Sequence, residues 1–162
     1  MSVIDEDGQT RTLLSLWEQK RIVILFTRHM GCRFCREQIA EFQKIYDKLY
    51  QCDVIPIIIT IGLYTDIIRF KQENSITGMV YVDATPDHPT AYQLFRLNNG
   101  KEFLFKEDSQ EFLDVTIAAS KRAESQGFSD GGYGNAGKEY TGDVFQVRLC
   151  FYHLYFTLDL VN

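Results

Sequence analysis

The chain has 162 residues, of which 45 % are hydrophobic and 24 % are charged, so a single globular domain of ordinary composition is expected. A formal net charge of −5 argues against a general nucleic-acid binder, and four cysteines are too few for a secreted disulfide scaffold. The opening residues, MSVIDEDGQTRTLLSLW, are acidic and lack the apolar segment of a secretory signal. We therefore expect a cytoplasmic protein, or a plastid protein if further residues precede this sequence.

The first part of the chain predicts alternating strands and helices. Leu13, Leu14 and Trp17 have near-helical spacing, so residues 10–20 predict a short helix or turn. Apolar, β-branched runs predict buried strands at 22–26, 53–62 and 79–85, and helical spacing of apolar residues predicts helices at 34–50, 64–74 and 88–97. Pro56 is expected to disturb a regular central ladder in the second strand. This alternation favours a parallel sheet with right-handed crossovers.

The second part of the chain is less regular. A helix is predicted around residues 109–124, and the six glycines of residues 127–142 predict a loop or linker. The tail that follows is apolar and aromatic, but polar residues interrupt it, and its stretch 149–152 is far shorter than the ~20 residues of a membrane helix. A final core strand is one interpretation of this tail, and a mis-spliced or frame-shifted terminus is the other.

Two cysteines in the segment FTRHMGCRFCR, Cys32 and Cys35, lie where a predicted strand ends and a predicted helix begins. Backbone N–H groups at a helix N-terminus favour negative charge, so they would stabilise the Cys32 thiolate, which is the reactive form of cysteine. Arg28, Arg33 and Arg36 can add positive potential. A CxxC motif inside a strand–helix–strand pattern is typical of thioredoxin-like redox proteins.

Two other interpretations of the cysteine pair stay open. A structural zinc site needs four ligands, usually as two pairs, whereas Cys52 and Cys150 are single and the three histidines are scattered. The other interpretation is that the two cysteines are unreactive and only pack at the start of a helix, but it leaves the three arginines unexplained. We predict no metal and no cofactor, and neither a nucleic acid nor a membrane as partner.

The segment FTRHMGCRFCREQI, the apolar strand after it and YVDATPDHPTAYQLF resemble the peroxiredoxin-like 2 family, thioredoxin-fold proteins of the AhpC/TSA-type antioxidant class. The matching residues are Cys32 and Cys35 for the CxxC, Arg28 and Arg36 for the flanking basic residues, and Asp83 for the aspartate. The resemblance covers about residues 10–100 and continues loosely to GDVFQ at 142–146. It implies a thioredoxin-like α/β fold, a βαβ core with a mixed sheet flanked by helices, over residues 1–146, followed by an atypical apolar tail over 147–162.

The resemblance also implies the activity of a peroxiredoxin-like antioxidant or a thiol–disulfide oxidoreductase. Cys32 would attack a hydroperoxide, an endoperoxide or a protein disulfide, and Cys35 would resolve the product into an intramolecular disulfide. Arg28 would stabilise the thiolate or the oxygen anion, and thioredoxin or glutathione would reduce the pair again. The order of the two cysteines could be reversed. The alternative is a non-catalytic, redox-sensing interaction or signalling protein on the same scaffold.

Two departures from the family pattern qualify these expectations. The peroxiredoxin motif P-x-x-x-S/T-x-x-C, counted back from Cys35, has Arg28 at its proline position and Cys32 at its Ser/Thr position. Counted back from Cys32, the same positions hold Leu25 and His29, so we expect a dithiol site before a standard peroxidase site. After GDVFQ the chain reads VRLCFYHLYFTLDLVN, which predicts that the closing antiparallel hairpin and last helix are missing or replaced.

Overall fold

A computed structural model of the chain describes residues 2–16, 18, 20–83, 91–94, 110–128 and 151–152. The strands are, in chain order, β1 (Ser2–Ile4), β2 (Thr10–Thr12), β3 (Arg21–Phe26), β4 (Val54–Thr60), β5 (Met79–Asp83) and β6 (Phe151–Tyr152). The helices are α1 (Arg33–Gln43), α2 (Tyr46–Gln51), α3 (Ile67–Glu73), α4 (Ala91–Leu94) and α5 (Gln110–Ser125). Short 3-10 turns cover Leu14–Leu16 and Tyr64–Asp66.

The six strands form one mixed sheet in the order β2-β1-β5-β4-β3-β6. The three strands β3, β4 and β5 run parallel, as the alternation of strands and helices predicts. The other three run antiparallel to their neighbours. Parallel neighbours need a crossover between them, and α1 with α2 provides the first crossover while α3 provides the second.

The expectation of a helix or turn over residues 10–20 is only partly right. A 3-10 turn covers Leu14–Leu16, but β2 precedes it and forms an antiparallel pair with β1 at the edge of the sheet. Neither strand was predicted, because each is three residues long and too short to carry a recognisable alternation of apolar and polar residues.

The expected disturbance at Pro56 is limited to one side of the strand. Pro56 pairs in register with Val23 of β3, and β4 begins to pair with β5 only at Ile57. Because the ladder with β5 starts after Pro56, the missing N–H interrupts no bond on that side. The strand β4 therefore remains central and regular.

The predicted helix over residues 34–50 is divided at Lys44 and Ile45 into α1 and α2. The amides of these two residues donate three residues back, to the carbonyls of Glu41 and Phe42, at 3.2 Å each. An α-helix would make these bonds four residues back, so the chain tightens here and the apolar face shifts. As a result Ile45 is 39 % exposed, although its spacing predicts a buried position.

Each parallel strand is buried on both faces, as its continuous apolar sequence predicts. On one face of the sheet, Leu25 and Ile58 belong to a cluster with Ile39, Phe42 and Phe70 from the helices. The opposite face is lined by Ile24, Ile57, Tyr81, Leu13 and Tyr92. The carboxyl ends of β3 and β4 therefore emerge from the core together, on the side where α1 begins.

Part of the sequence-based expectations falls outside the described residues. These are the outer parts of the predicted helix at 88–97, most of the glycine-rich segment and most of the tail from 147 onward. In the tail, β6 pairs antiparallel with β3 at Leu25 and Ile24, which agrees with the interpretation as a final core strand. The missing or replaced hairpin and the boundary at residue 146 stay predictions.

In the described ranges, no helix is both long and apolar enough to span a membrane.

Removal of the Tyr46 hydroxyl is expected to leave the free energy of unfolding unchanged or to raise it by up to about 1 kcal/mol. The ring is buried and packs edge-on against Phe42 at 5.2 Å, but its hydroxyl is buried without a hydrogen-bond partner in the described part of the chain. Urea unfolding of Tyr46→Phe tests this, with Tyr50→Phe, a half-exposed neighbour, as control. A loss of stability confined to Tyr46→Phe would contradict the prediction.

Candidate functional site

The two cysteines lie at the start of α1, where the chain turns after β3. Cys32 is the N-cap of α1 and has an extended backbone, with φ −78° and ψ 118°. Its N–H donates to the carbonyl of His29 at 3.1 Å, and its own carbonyl accepts the N–H of Arg36 at 3.1 Å. Cys32 therefore sits beside the first amides of α1, which have no partner within the helix. This is the position that the sequence predicts.

The segment between β3 and α1 is held by bonds to β4 and to α1. The N–H of Thr27 donates to the carbonyl of Ile59 at 2.9 Å, and the N–H of Met30 donates to the carbonyl of Ile61 at 3.4 Å. The guanidinium Nε of Arg36 donates to the carbonyl of Met30 at 3.3 Å. These bonds tie the segment to the core, so the sulfur atoms that follow it are placed by a fixed backbone.

Cys32 and Cys35 are free thiols, and each is only 3 % exposed. The side chain of Cys35 is hydrogen-bonded to Cys32, and the N–H of Arg28 donates to Cys35 Sγ at 3.3 Å. Cys52 is also free and is exposed, while Cys150 lies outside the described residues. The structure thus brings together the two cysteines and the arginine that the sequence singles out.

The environment lowers the pKa of one thiol and raises that of the other. The pKa of Cys32 falls to about 6, chiefly because Cys35 donates a hydrogen bond to its thiolate. Burial opposes this shift, whereas the positive charge of Arg28 and the amides of Phe34 and Cys35 support it. The pKa of Cys35 lies well above its ordinary value because of its bond to Cys32, its burial and the nearby Cys32 charge. At neutral pH the pair is therefore one thiolate and one thiol.

The three arginines around the pair have different partners. Arg28 supplies positive charge to Cys32, and its Nε is buried without a hydrogen-bond partner among the described residues. Arg33 instead donates to Ser120 Oγ at 3.0 Å and to the Glu124 carboxylate, both on α5.

Arg36 also has partners other than the two sulfur atoms. It pairs with Glu73 Oε2 of α3 at 3.1 Å, in addition to its bond to Met30. A second pair, between Arg122 and Glu37 at 2.7 Å, joins α5 to α1. Arg28 is thus the arginine whose charge lowers the pKa of Cys32, while Arg33 and Arg36 also make ion pairs that hold α5 and α3 against α1.

Tyr92 is a site residue that the sequence analysis missed. Its ring is 2 % exposed, and its hydroxyl lies 2.7 Å from the carbonyl oxygen of Thr27 and 3.0 Å from that of Ile59. Asp83, which matches the family aspartate, accepts the N–H of Ala91 at 2.7 Å and so anchors α4. The available signal was a tyrosine in a predicted helix, because a buried tyrosine hydroxyl normally has a partner.

A metal site would need several His, Cys, Asp or Glu side chains close together. Within the described ranges no group of three or more His, Cys, Asp or Glu side chains converges. A structural zinc ion is held by four such ligands. The zinc interpretation therefore has no ligand set in the part of the chain that the structure describes.

Known proteins resemble a large part of this chain. The AhpC/TSA family model matches residues 1–110. The thioredoxin-like protein AAED1, chloroplastic, of Arabidopsis thaliana is 27 % identical over 105 residues, covering 65 % of this chain and 41 % of that protein. Peroxiredoxin-like 2C of Homo sapiens is 27 % identical over 121 residues, covering 74 % of this chain and 52 % of that protein. The chain thus spans about half the length of these curated relatives.

A solved structure supports the architecture independently. The peroxidoxin BcpB of Mycobacterium tuberculosis superposes with a TM-score of 0.53 over 62 % of this chain and 63 % of that chain, at 16 % sequence identity. At this identity the likeness concerns the fold alone. It confirms the predicted thioredoxin-like α/β fold.

Proposed function

Because this chain belongs to the AhpC/TSA family, we propose that it is a thiol-dependent redox protein whose reactive group is the Cys32–Cys35 dithiol. The observation that carries the proposal is the geometry of the pair: Cys32 is the N-cap of α1 and is hydrogen-bonded to Cys35, which lowers the pKa of Cys32 to about 6 and raises that of Cys35. A thiolate next to a protonated thiol is the starting state for attack on an O–O or S–S bond followed by disulfide closure.

With a hydroperoxide, the Cys32 thiolate attacks one oxygen and the O–O bond breaks. Cys32 becomes a sulfenic acid, and the alkoxide that leaves takes up a proton to become an alcohol. Cys35 then loses its proton and attacks the Cys32 sulfur, so that a disulfide forms and water leaves. With a protein disulfide, Cys32 forms a mixed disulfide and Cys35 displaces the substrate thiolate. In both cases the substrate gains two electrons and the dithiol loses two.

The pKa values favour Cys32 over Cys35 as the attacking thiol. A thiol with a pKa of about 6 is largely ionised at neutral pH, whereas Cys35 stays protonated until Cys32 has reacted. Loss of the Cys32 negative charge in the sulfenic acid removes one cause of the high pKa of Cys35, which eases the second step. Arg28 is proposed to stabilise the thiolate through its charge and the departing oxygen through its Nε, which is buried and has no hydrogen-bond partner among the described residues.

The proposed reductant is thioredoxin or glutathione, and the proposed substrates are a hydroperoxide, an endoperoxide or a protein disulfide. The reductant supplies two electrons and returns the disulfide to the dithiol. The proposed compartment is the cytoplasm or, by analogy with the Arabidopsis relative whose name is chloroplastic, a plastid.

One observation favours the second candidate, a non-catalytic redox sensor. Both sulfur atoms are nearly inaccessible, since Cys32 and Cys35 are each 3 % exposed. A catalytic thiol is ordinarily partially exposed, whereas a buried dithiol could oxidise slowly and report the redox state to a partner. Turnover separates the two functions, because a sensor needs none.

We expect the alkylation of Cys32 by iodoacetamide to show a pH midpoint near 6. The extent of labelling at Cys32 is followed by peptide mass spectrometry across pH 5 to about 9, a range that includes the ordinary cysteine pKa. Cys52, which is exposed, is labelled in the same samples and serves as the internal reference for reagent reactivity. Turnover is measured with hydrogen peroxide or cumene hydroperoxide and a thioredoxin, thioredoxin reductase and NADPH system.

An acidic midpoint together with turnover that Cys32→Ser abolishes would support the enzyme. An acidic midpoint without turnover, but with a disulfide that forms under oxidation, would support the sensor. A midpoint at the ordinary cysteine value of about 8.5 would refute the dithiol proposal in both forms.

A further inference from the structure

The hydroxyl of Tyr92 bridges the carboxyl ends of β3 and β4. It lies within hydrogen-bond distance of two carbonyl oxygens, that of Thr27 at 2.7 Å and that of Ile59 at 3.0 Å. The ring is buried and meets Phe26 edge-on, with centroids 5.1 Å apart and planes at 66°. A phenol has one proton to donate, so the Tyr92 hydroxyl donates mainly to the nearer of the two carbonyls, that of Thr27.

The carbonyl of Thr27 and the N–H of Arg28 belong to the same peptide group. Because a peptide group is planar and trans, its C=O and N–H point in opposite directions. The hydroxyl of Tyr92 binds the carbonyl oxygen at one edge of this peptide. At the opposite edge, the Arg28 N–H donates to Cys35 Sγ at 3.3 Å. An unbroken series of hydrogen bonds thus runs from Tyr92 through one peptide to Cys35, and from Cys35 to Cys32.

A hydrogen bond to the carbonyl also strengthens the opposite N–H as a donor, because bonds in series polarise one another. Rotation of the Thr27–Arg28 peptide plane would turn the Arg28 N–H away from the Cys35 sulfur. Tyr92 therefore affects both the direction and the strength of the bond that the Cys35 sulfur receives.

The position of Tyr92 is itself set by the sheet. Asp83, the last residue of β5, accepts the N–H of Ala91 at 2.7 Å, which places the first residues of α4 over the strand ends. Burial raises the pKa of Tyr92 well above its ordinary value, with smaller contributions from Asp83 and Cys35. The hydroxyl consequently stays protonated, and remains a donor, at every pH at which the dithiol would work.

We propose that Tyr92 is a positioning residue for the dithiol, whose hydroxyl orients the Thr27–Arg28 peptide so that its N–H holds the Cys35 sulfur against Cys32. The inference rests on the proposed function, since it assigns a role within that site. In the described part of the chain, the titratable and charged groups that face the pair or Tyr92 include Arg28 before α1, Arg33 and Arg36 in its first turn, Asp83 at the end of β5 and Tyr92 itself on α4.

The substitution Tyr92→Phe keeps the ring and its contact with Phe26 but removes the hydroxyl. We expect the pH midpoint of Cys32 alkylation to rise by about half a unit or more, which corresponds to partial loss of one hydrogen bond in the series. The matched control is Tyr81→Phe, which removes a tyrosine hydroxyl on the same face of the sheet whose partner is Met79 Sδ at 3.5 Å. This control is expected to leave the midpoint unchanged.

The experiment uses the full chain, with circular dichroism to establish that each variant is folded. A purely structural role for Tyr92 would lower the melting temperature without moving the midpoint. An unchanged midpoint in Tyr92→Phe, beside an acidic midpoint in the wild type, would overturn the positioning role and leave the proposed function intact. A wild-type midpoint at the ordinary cysteine value would instead remove the proposed function, and the positioning role with it.

A second variant covers the case in which Tyr92→Phe does not fold. Asp83→Asn keeps the Tyr92 hydroxyl but weakens the bond that anchors Ala91. The midpoint is again expected to rise, because the first residues of α4, and with them the Tyr92 hydroxyl, are then held less firmly over the strand ends. An unchanged or lower midpoint in this variant would overturn the proposal.

Discussion

Replacement of Cys35 by serine is expected to abolish turnover with a thioredoxin system while Cys32 remains acidic and still reacts once with a hydroperoxide. The hydrogen bond from Cys35 is the largest cause of the low pKa of Cys32. A serine hydroxyl retains a donor at this position, so the Cys32 thiolate keeps much of its stabilisation. It has no sulfur with which to form a disulfide, so the sulfenic acid on Cys32 cannot be resolved within the chain.

The matched variant Cys35→Ala removes the donor as well as the sulfur. A charge-assisted hydrogen bond contributes about 1.5–3 kcal/mol, which corresponds to roughly one to two pKa units. We therefore expect the pH midpoint of Cys32 alkylation to move from near 6 to between about 7 and 8 in Cys35→Ala. Comparison of the two variants separates the role of Cys35 as a hydrogen-bond donor from its role as the resolving thiol.

The midpoint of the pH profile is the proper measure, because a thiolate of higher pKa is also the stronger nucleophile. Sulfenic acid on Cys32 is detected with a dimedone probe and mass spectrometry, and Cys52→Ser serves as a control because Cys52 is exposed and takes no part in the pair. Equal midpoints in Cys35→Ser and Cys35→Ala would contradict the donor role. Continued thioredoxin-dependent turnover in Cys35→Ser would contradict the resolving role.

The stability of the reduced chain is expected to increase with pH between about 6 and about 8.5. The folded chain lowers the pKa of Cys32, so over this range the unfolded chain binds a proton that the folded chain has released. The contribution is absent below pH 6 and complete above the unfolded-state pKa of about 8.5, where it amounts to about 3 kcal/mol. As the pH falls through 6 this stabilisation is lost.

Cys35 acts in the opposite direction at higher pH. Its pKa is raised in the folded chain, so above about 8.5 the unfolded chain releases a proton that the folded chain retains, and stability falls. Because the two thiols change stability in opposite directions, we expect the free energy of unfolding to be largest near pH 8 to 8.5, at about the ordinary cysteine pKa.

Urea unfolding in the presence of a phosphine reductant, at a series of pH values, measures this dependence. The free energy of unfolding of the wild type minus that of Cys32→Ser is expected to grow between pH 6 and about 8.5, because the serine does not ionise in this range. Cys52→Ser, the exposed control, should follow the wild type at all pH values. Parallel curves for the wild type and Cys32→Ser would show that Cys32 is not acidic in the folded chain.

Some elements of this fold are encoded in short stretches of sequence, and others are not. The strands β3, β4 and β5 and the start of α1 were predicted from short stretches, because a run of β-branched apolar residues has few ways to be buried other than as a central strand. The placement of Cys32 at the first turn of a helix followed directly from these local patterns. The short hairpin of β1 and β2 and the break between α1 and α2 carried no comparable pattern.

The parallel core and the CxxC motif at a strand-to-helix junction can thus be predicted from local residue patterns. The ion pairs of Arg33 and Arg36 became visible only in the folded chain, because their carboxylate partners lie 91 and 37 residues further along the sequence. The tertiary structure also decided that Tyr92, 65 residues from Thr27, binds the peptide that faces Cys35. Local residue patterns set secondary structure, but charge pairs and buried hydrogen bonds depend on distances in space, which only the folded chain defines.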